Sequence, residues 1–170
     1  MPVPDVAEVF VRRRKAVMNS PSERLQMTTP GEREIVVTRV VDARRRLVFD
    51  AWTDPSLVPQ WMLGPPGWSM PVCEIDLRAG GEWRFVWRKA EGEEMEMRGA
   101  YKEIARPDRL VSTESWGGDW PETLNTVALD EEDGRTTITM TILYPSREAR
   151  DAALKTGMAD GMAPTFDRLA

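Results

Sequence analysis

The sequence predicts an α+β protein in which a curved antiparallel sheet of six to seven strands wraps around a long C-terminal helix. Three observations support this prediction. Evenly spaced apolar segments alternate with glycine-rich turns, which is typical of antiparallel strands. Two short helical segments follow the first strand. Residues 146–170 carry apolar side chains at helical spacing, so this segment can cover the apolar face of the sheet.

The first elements are a strand and a pair of short helices. Glu34–Val41 is rich in β-branched residues and therefore predicts a strand. Arg45–Thr53 has apolar residues at helical spacing and ends before Asp54-Pro55, after which Pro55 can open a second short helix through Trp61. Because both helices are brief, we expect them to fill a gap between strands rather than form a separate layer.

The middle of the chain predicts a run of strands joined by tight turns. Glu82–Lys89 is the clearest strand, because its aromatic residues alternate strictly with arginine and valine. Gly80-Gly81 precedes it and predicts a turn that needs the positive φ of glycine. The strands of this run are expected over Ser69–Arg78, Glu82–Lys89, Met95–Ile104, Leu110–Trp116, Glu122–Leu129 and Arg135–Tyr144.

The C-terminal segment predicts a helix that is broken or bent. Ser146 has the side chain of an N-cap residue, and Glu148 lies in the first turn, where the helix dipole favours a negative charge. Gly157, Gly161 and Pro164 each weaken a helix by about 1 kcal/mol or more. We therefore expect this segment to depend on tertiary packing for its stability.

Residues 1–32 are interpreted as an N-terminal extension of the folded domain, which is expected over residues 33–170. Asp5 can cap a short helix through Met18, and a turn-rich stretch follows it. Whether residues 1–26 belong to the folded core stays open. The basic run Arg12–Lys15 is either a partner-binding arm or a solvated helix face, and the solvated face is favoured.

Composition excludes several kinds of chemistry. The chain of 170 residues has no histidine and a single cysteine, Cys73, so histidine-dependent catalysis, histidine-ligated metals and an intramolecular disulfide are excluded. The net charge of −5 argues against a dedicated nucleic-acid binder. No apolar run approaches the ~18–20 residues of a membrane helix, and the single cysteine favours a cytoplasmic protein. No glycine-rich phosphate loop follows a strand, and no cofactor is predicted.

Seven stretches of the chain together carry a family resemblance. They are 48–55 (VFDAWTDP), Gln60-Trp61 with Gly64-Pro65, 76–85 (DLRAGGEWRF), 99–104 (GAYKEI), 107–111 (PDRLV), 134–136 (GRT) and 148–162 (EARDAALKTGMADGM). In this order they resemble the START-like (SRPBCC, helix-grip) superfamily, and within it the family named after the C-terminal domain of the heat-shock-protein ATPase activator.

The resemblance spans about residues 33–170 and implies a helix-grip fold with a cavity between the sheet and the C-terminal helix. Two positions depart from the family pattern. Arg44 stands where a proline is usual before the first helix, and Met62 stands where a second tryptophan often follows the first. The change at Met62 is expected to alter the wall of the cavity.

The chain is rich in tryptophan and methionine, residue types that suit an adaptable apolar cavity. Filling of the core by the same side chains is the alternative interpretation, whereas Trp52 is assigned to core packing. The predicted ligand-binding residues are Trp61, Trp68, Trp83, Phe85, Trp87, Met97, Tyr101, Trp116, Met158 and Met162.

Among the polar residues, Glu114 is the first candidate for chemistry, because it shares a strand face with Trp116 and can point inward. A carboxyl group in an apolar cavity has a raised pKa and can serve as an acid or base. A surface or ion-paired position is the alternative, and it is favoured also for Glu74, Asp76 and Glu103. Arg84 and Arg98 are expected to lie opposite the apolar face.

Gly157 and Gly161 have two interpretations: they either leave space for a ligand or let the helix approach the sheet closely. Both interpretations predict that a leucine at these positions is harmful.

These observations predict binding of a hydrophobic or amphipathic small molecule, with a role in a stress or ligand response. The resemblance implies two alternatives: the family name implies a co-chaperone-like protein that stimulates a heat-shock-protein ATPase, and related helix-grip enzymes imply a small-molecule cyclase or hydrolase that uses a pocket carboxylate. A chaperone is thus the alternative partner, and neither nucleic acid nor membrane is expected. Exposed strand edges allow either a monomer or a homodimer.

Overall fold

A computed structural model describes residues 24–170 and contains one eight-stranded antiparallel sheet and four helices within that range. The predicted helix from Asp5 to Met18 and the basic run Arg12–Lys15 lie outside the described residues. The strands are β1 (Gln26–Thr28), β2 (Glu34–Val41), β3 (Trp68–Ile75), β4 (Glu82–Lys89), β5 (Glu94–Ala105), β6 (Arg109–Glu114), β7 (Thr123–Glu132) and β8 (Arg135–Leu143). The helices are α1 (Arg45–Thr53), α2 (Val58–Trp61), α3 (Arg147–Leu154) and α4 (Met158–Leu169).

The α+β class and the antiparallel sheet are confirmed, but the sheet has more strands than the predicted six to seven. The strand order is β1-β2-β8-β7-β6-β5-β4-β3. The additional strand is β1, in which Met27 pairs with Val37 of β2. Three residues are too few to produce a recognisable alternation, and β1 falls inside the predicted N-terminal extension.

Three strand ends differ from the prediction by two residues or more: β7 extends to Glu132, and β3 and β6 end early for local reasons. β3 ends at Ile75, because residues 76–81 form the turn into β4, and a Cβ on Gly81 would lie 2.0 Å from the carbonyl oxygen of Asp76. β6 ends at Glu114, after which Ser115 forms a single bridge to Arg98 of β5. Trp116 therefore leaves the regular sheet.

The core lies on the concave side of the sheet, where α1 packs. Side chains of β2 alternate between half-buried and buried, and Ile35, Val37 and Val41 are inaccessible to solvent. Phe49 of α1 is fully buried against this face. The apolar residues at alternate positions of the strands and those at helical spacing on α1 thus pack together in one core.

The predicted long C-terminal helix is two helices, α3 and α4, with the break at residues 155–157. Ser146 caps α3 as predicted, since its hydroxyl accepts a hydrogen bond from the backbone N–H of Ala149. Gly157 has a φ of +72°, a conformation that favours glycine, and it begins the turn into α4. Gly161 and Pro164 lie inside α4 and do not interrupt it.

Polar contacts hold α4 across the open face of the sheet. Arg39 is buried on β2, and its guanidinium group contacts the carboxylate of Asp167 at 2.7 Å. The loop after α2 is attached to the same helix, because Gly64 N–H donates to the Thr165 hydroxyl and Arg168 donates to the Gly64 carbonyl oxygen. These bonds fix the position of α4 relative to both the sheet and the loop.

Within the described part of the chain, no helix has the length and apolar character needed to cross a membrane.

Candidate functional site

A cavity of about 1130 Å³ lies between the concave face of the sheet and helices α1, α2 and α4. All ten residues predicted to bind a ligand line this cavity. They are Trp61, Trp68, Trp83, Phe85, Trp87, Met97, Tyr101, Trp116, Met158 and Met162. The structure therefore brings the whole predicted set together, and its role in binding stays a prediction.

Strand β4 supplies an aromatic wall of the cavity. Trp83, Phe85 and Trp87 all point inward because they are two residues apart on one strand. The ring centroids lie 4.8 Å apart for the first pair and 6.0 Å apart for the second. Gly99 of β5 makes room for this wall, since a Cβ there would lie 2.6 Å from the Trp83 ring and 1.9 Å from the carbonyl oxygen of Thr113.

The helices supply a second aromatic cluster. Trp52 of α1 lies 4.7 Å from Trp61 and 5.8 Å from Phe166, measured between ring centroids. Trp52 packs against the core as predicted, but it also lines the cavity, which the sequence-based prediction missed. Met62 lines the cavity too, and its carbonyl oxygen accepts a hydrogen bond from Trp87 Nε1 at 2.7 Å.

One end of the cavity has an exposed apolar rim. Met95, Trp116 and Trp120 are exposed by 39%, 43% and 46%, although large apolar side chains are usually more buried. Trp116 stacks on Trp87 with a centroid distance of 5.5 Å and an interplanar angle of 15°. The rim is therefore continuous with the aromatic wall inside.

A polar network lies in the cavity wall behind this rim. Glu114 accepts hydrogen bonds from Trp116 Nε1, at 2.8 Å, and from the side-chain amide of Asn125. Asn125 in turn accepts a hydrogen bond from the Thr123 hydroxyl at 2.9 Å. Glu114 thus lines the cavity with neutral bonding partners, whereas the sequence favoured a surface or ion-paired position for it. Trp116 lies beyond the end of β6, so the two residues do not share a strand face.

Burial shifts the ionisation of the groups in this wall. Desolvation raises the pKa of Glu114 to about 7, and the hydrogen bond from Trp116 opposes this shift in part. Burial and the nearby Glu114 charge raise the pKa of Tyr144 to about 12. Burial is also the main reason that the pKa of Tyr101 is raised. Near neutral pH, Glu114 is therefore the group here whose charge can change.

The other predicted polar residues lie outside the cavity lining. Glu74, Asp76 and Glu103 are exposed, which agrees with a surface position. Arg84 and Arg98 both pair with Glu96, which borders the cavity. This pairing holds the pKa of Glu96 below its usual value.

Gly161 does not serve a close approach to the sheet. A Cβ on it would meet the Pro65 ring at 3.9 Å, an ordinary contact, and other atoms lie no nearer. The close-approach interpretation is therefore not supported for Gly161, and under the ligand-space interpretation the expectation that a leucine there is harmful stays a prediction. It holds for Gly157, where the positive φ strains any other residue.

Asn125 and Thr123 are functional candidates that the sequence-based prediction missed. Both are buried polar residues on β7, two positions apart, and both line the cavity. Their spacing relative to buried Val127 gives the signal that could have found them, because residues at i, i+2 and i+4 share one face of a strand.

The fold and the position of the cavity together define a START-like, helix-grip protein. The family model described as "Activator of Hsp90 ATPase homolog 1-like protein" matches residues 42–170, and the chain belongs to this family. No curated protein matches the sequence.

Solved structures agree with this assignment. A protein from Rhodobacter sphaeroides is 30% identical, with a TM-score of 0.82, and the match covers 86% of this chain and 95% of that one. A Nitrosomonas europaea protein is 24% identical, with a TM-score of 0.73 and coverage of 83% and 94%. An AHSA1-like protein from Aeromonas hydrophila is 18% identical, with a TM-score of 0.64 and coverage of 79% and 91%. The last two similarities concern the fold alone.

Proposed function

We propose that this protein binds a hydrophobic or amphipathic small molecule in the cavity between the sheet and α4. The observation that supports this proposal is the size of the cavity, about 1130 Å³. Protein interiors are close-packed, with few voids larger than a water molecule, so a space of this size is not a packing defect. It is slightly larger than the usual range of small-molecule sites, roughly 300–1,000 Å³.

The lining chemistry also favours a ligand over a solvent-filled cleft. Among the described residues, seven tryptophans, six methionines and two phenylalanines line the cavity, while the Glu114–Asn125 pair supplies a localised polar group. Small-molecule sites typically combine a large apolar surface with a few placed polar groups that orient the ligand. Methionines on α4, such as Met158 and Met162, can adapt their shape to different ligands.

A fluorescence titration with Nile red, a neutral apolar dye, tests the proposal. We expect the dye to bind and its emission to rise, because it enters an apolar environment. Gly161→Trp projects an indole from α4 toward the cavity and should weaken binding severalfold, since the position has room for a side chain. Ala159→Trp is the matched control, because Ala159 is exposed on the same helix.

Three outcomes decide the proposal. Weaker binding by Gly161→Trp together with unchanged binding by Ala159→Trp supports it. Equal binding by all three proteins places the dye elsewhere and contradicts the proposal. Absence of binding by the wild-type protein, combined with absence of any bound molecule after purification, also contradicts it.

Acid–base catalysis is the second candidate function, and the position of Glu114 favours it. A carboxyl group in an apolar cavity with a pKa of about 7 can both donate and accept a proton near neutral pH. Under this hypothesis a bound substrate is converted by the wild-type protein, whereas Glu114→Gln binds it but does not turn it over. Equal turnover by the variant would exclude the catalytic role.

The family description names activation of the Hsp90 ATPase, and this role is the remaining alternative. An ATPase assay on the chaperone distinguishes it from ligand storage, because only an activator raises the rate. The cytoplasmic location, the role in a stress or ligand response, and the monomer or homodimer state stay predictions.

A further inference from the structure

The charged side chains that line the cavity have a single sign within the described part of the chain. The ionised side chains that line it are carboxylates, and no lysine or arginine is among its lining residues within residues 24–170. The carboxylates are Glu94, Glu96, Glu114 and Asp160. A ligand that carries a negative charge would therefore find no lysine or arginine in the lining. Positive groups beside the lining include arginines that already pair with Glu94 and Glu96, and Lys89, which lies over the Trp68 ring.

Glu114 differs from the glutamates of the rim in its partners. Glu94 forms an ion pair with Arg88 at 2.6 Å, and Glu96 pairs with Arg84 and Arg98. Glu114 instead receives hydrogen bonds from the neutral donors Trp116 and Asn125, and no ion pair of the described residues includes it. Its charge is therefore available to a cation that enters from the cavity.

The aromatic surroundings favour a cation at the same place. Trp116, which donates to Glu114, stacks on Trp87, and Trp120 lines the same cavity. The faces of indole rings attract cations, most strongly where water is partly excluded. A positively charged group beside Glu114 would thus interact with a carboxylate in a wall that is rich in indole rings.

We propose that the ligand of this cavity is a lipophilic amine, whose protonated nitrogen pairs with Glu114 while its apolar body contacts the tryptophan and methionine side chains. This inference rests on the proposed function and names its ligand class. Charge-assisted hydrogen bonds are stronger than neutral ones, so the amine should bind about tenfold or more tightly than an alcohol of equal length.

Displacement of Nile red by dodecylamine, dodecanol and dodecanoate tests this inference at constant chain length. At pH 8 an alkylamine keeps its proton as lysine does, and a pKa of about 7 leaves most Glu114 side chains ionised. Tyr144, whose charge responds to Glu114, stays neutral at this pH because its pKa is about 12. We expect the affinity order amine, alcohol, carboxylate, with the amine tightest.

Two variants assign the preference to Glu114. Glu114→Gln should bring the affinity for the amine to within about twofold of that for the alcohol and leave the alcohol unchanged. Glu103→Gln makes the same charge change at an exposed position outside the cavity, and it should keep the full preference. A preference that survives in Glu114→Gln would mean that another lining carboxylate or the net charge attracts the amine, and a preference that disappears in Glu103→Gln would mean that the net charge does. Either result overturns the assignment to Glu114.

The results also separate this inference from the function on which it rests. If dodecanol displaces the dye and dodecylamine does so no more strongly, the cavity binds ligands and the amine assignment is wrong. Tighter binding of dodecanoate than of dodecylamine likewise overturns it. If none of the three compounds binds, ligand binding itself fails together with the inference.

Discussion

Glu114→Gln removes the titratable carboxyl group from the polar network of the cavity wall, and its effect on stability should depend on pH. Burial raises the pKa of Glu114 from 4.5 to about 7 in the folded protein. The folded protein therefore binds more protons than the unfolded chain between these values. Stability from this group is present at low pH and is lost as the pH rises through this window.

The size of the effect follows from the pKa difference. Each pKa unit corresponds to 1.36 kcal/mol, so ionisation of Glu114 at pH 8 costs the folded state about 3 kcal/mol. The variant lacks this cost. If the Asn125 amide turns over, it can accept a hydrogen bond from the new amide and donate one to the Thr123 hydroxyl. The neutral network is then satisfied at every pH.

Thermal unfolding at pH 5 and pH 8, followed by circular dichroism, measures this effect. For a chain of this size about 1 kcal/mol shifts the Tm by roughly 2–4 °C. At pH 5 the ionisation cost is already about 0.8 kcal/mol, because the unfolded chain ionises above 4.5, so the change between pH 5 and pH 8 is about 2.5 kcal/mol. The Tm of Glu114→Gln relative to the wild type should therefore rise by roughly 5–10 °C between these pH values. Glu103→Gln is the control, because Glu103 is exposed, and its Tm difference should not change with pH.

Two results would refute this reasoning. A Tm difference that is the same at both pH values would mean that Glu114 is not desolvated as the structure describes. A wild-type protein that gains stability over the variant as the pH rises would mean that Glu114 has a cationic partner.

Further predictions concern packing, the helix anchor and the thiol. Gly99→Ala should cost several kcal/mol in urea unfolding, because its Cβ would overlap neighbouring atoms, whereas Gly161→Ala should stabilise α4 by about 1 kcal/mol. If Gly99→Ala were as stable as the wild type, the close contact of Gly99 with Trp83 and Thr113 would be contradicted. Asp167→Ala should cost about 1–3 kcal/mol in the same assay, since buried Arg39 loses its charged partner; a neutral effect would show that solvent replaces the carboxylate. Burial, and then the nearby Asp54 charge, raises the pKa of Cys73 from 9.0 to about 11. Its alkylation at pH 8 should therefore be about a hundredfold slower than in the urea-unfolded chain, as measured by mass spectrometry. Equal alkylation rates in the folded and unfolded protein would contradict the burial of the Cys73 thiol.

Much of the cavity wall could be predicted because strand periodicity is a local property. In β4, three aromatic residues at alternate positions must share a face, and the concave face is where the apolar residues are buried. The N-cap role of Ser146 is likewise local, since it depends on the hydroxyl and the N–H three residues later.

What could not be predicted depends on distant contacts. Gly157 and Gly161 are the same residue type four positions apart, yet one begins a helix with a positive φ and the other lies inside it. Glu114 lies opposite Thr123 only through the register of β6 and β7, and this pairing brings Asn125 to the carboxylate. Residue patterns within a single strand do not determine such a register.

The central claim is that the cavity holds a small molecule. The most direct test is mass spectrometry, under native and denaturing conditions, of freshly purified wild-type and Gly161→Trp proteins. The account predicts an excess mass of one ligand per chain on the wild-type protein. This excess should disappear on denaturation and be reduced in Gly161→Trp. Two results would contradict the claim. One is a wild-type protein that keeps its unliganded mass even after incubation with Nile red and with dodecylamine. The other is the same excess mass on both proteins.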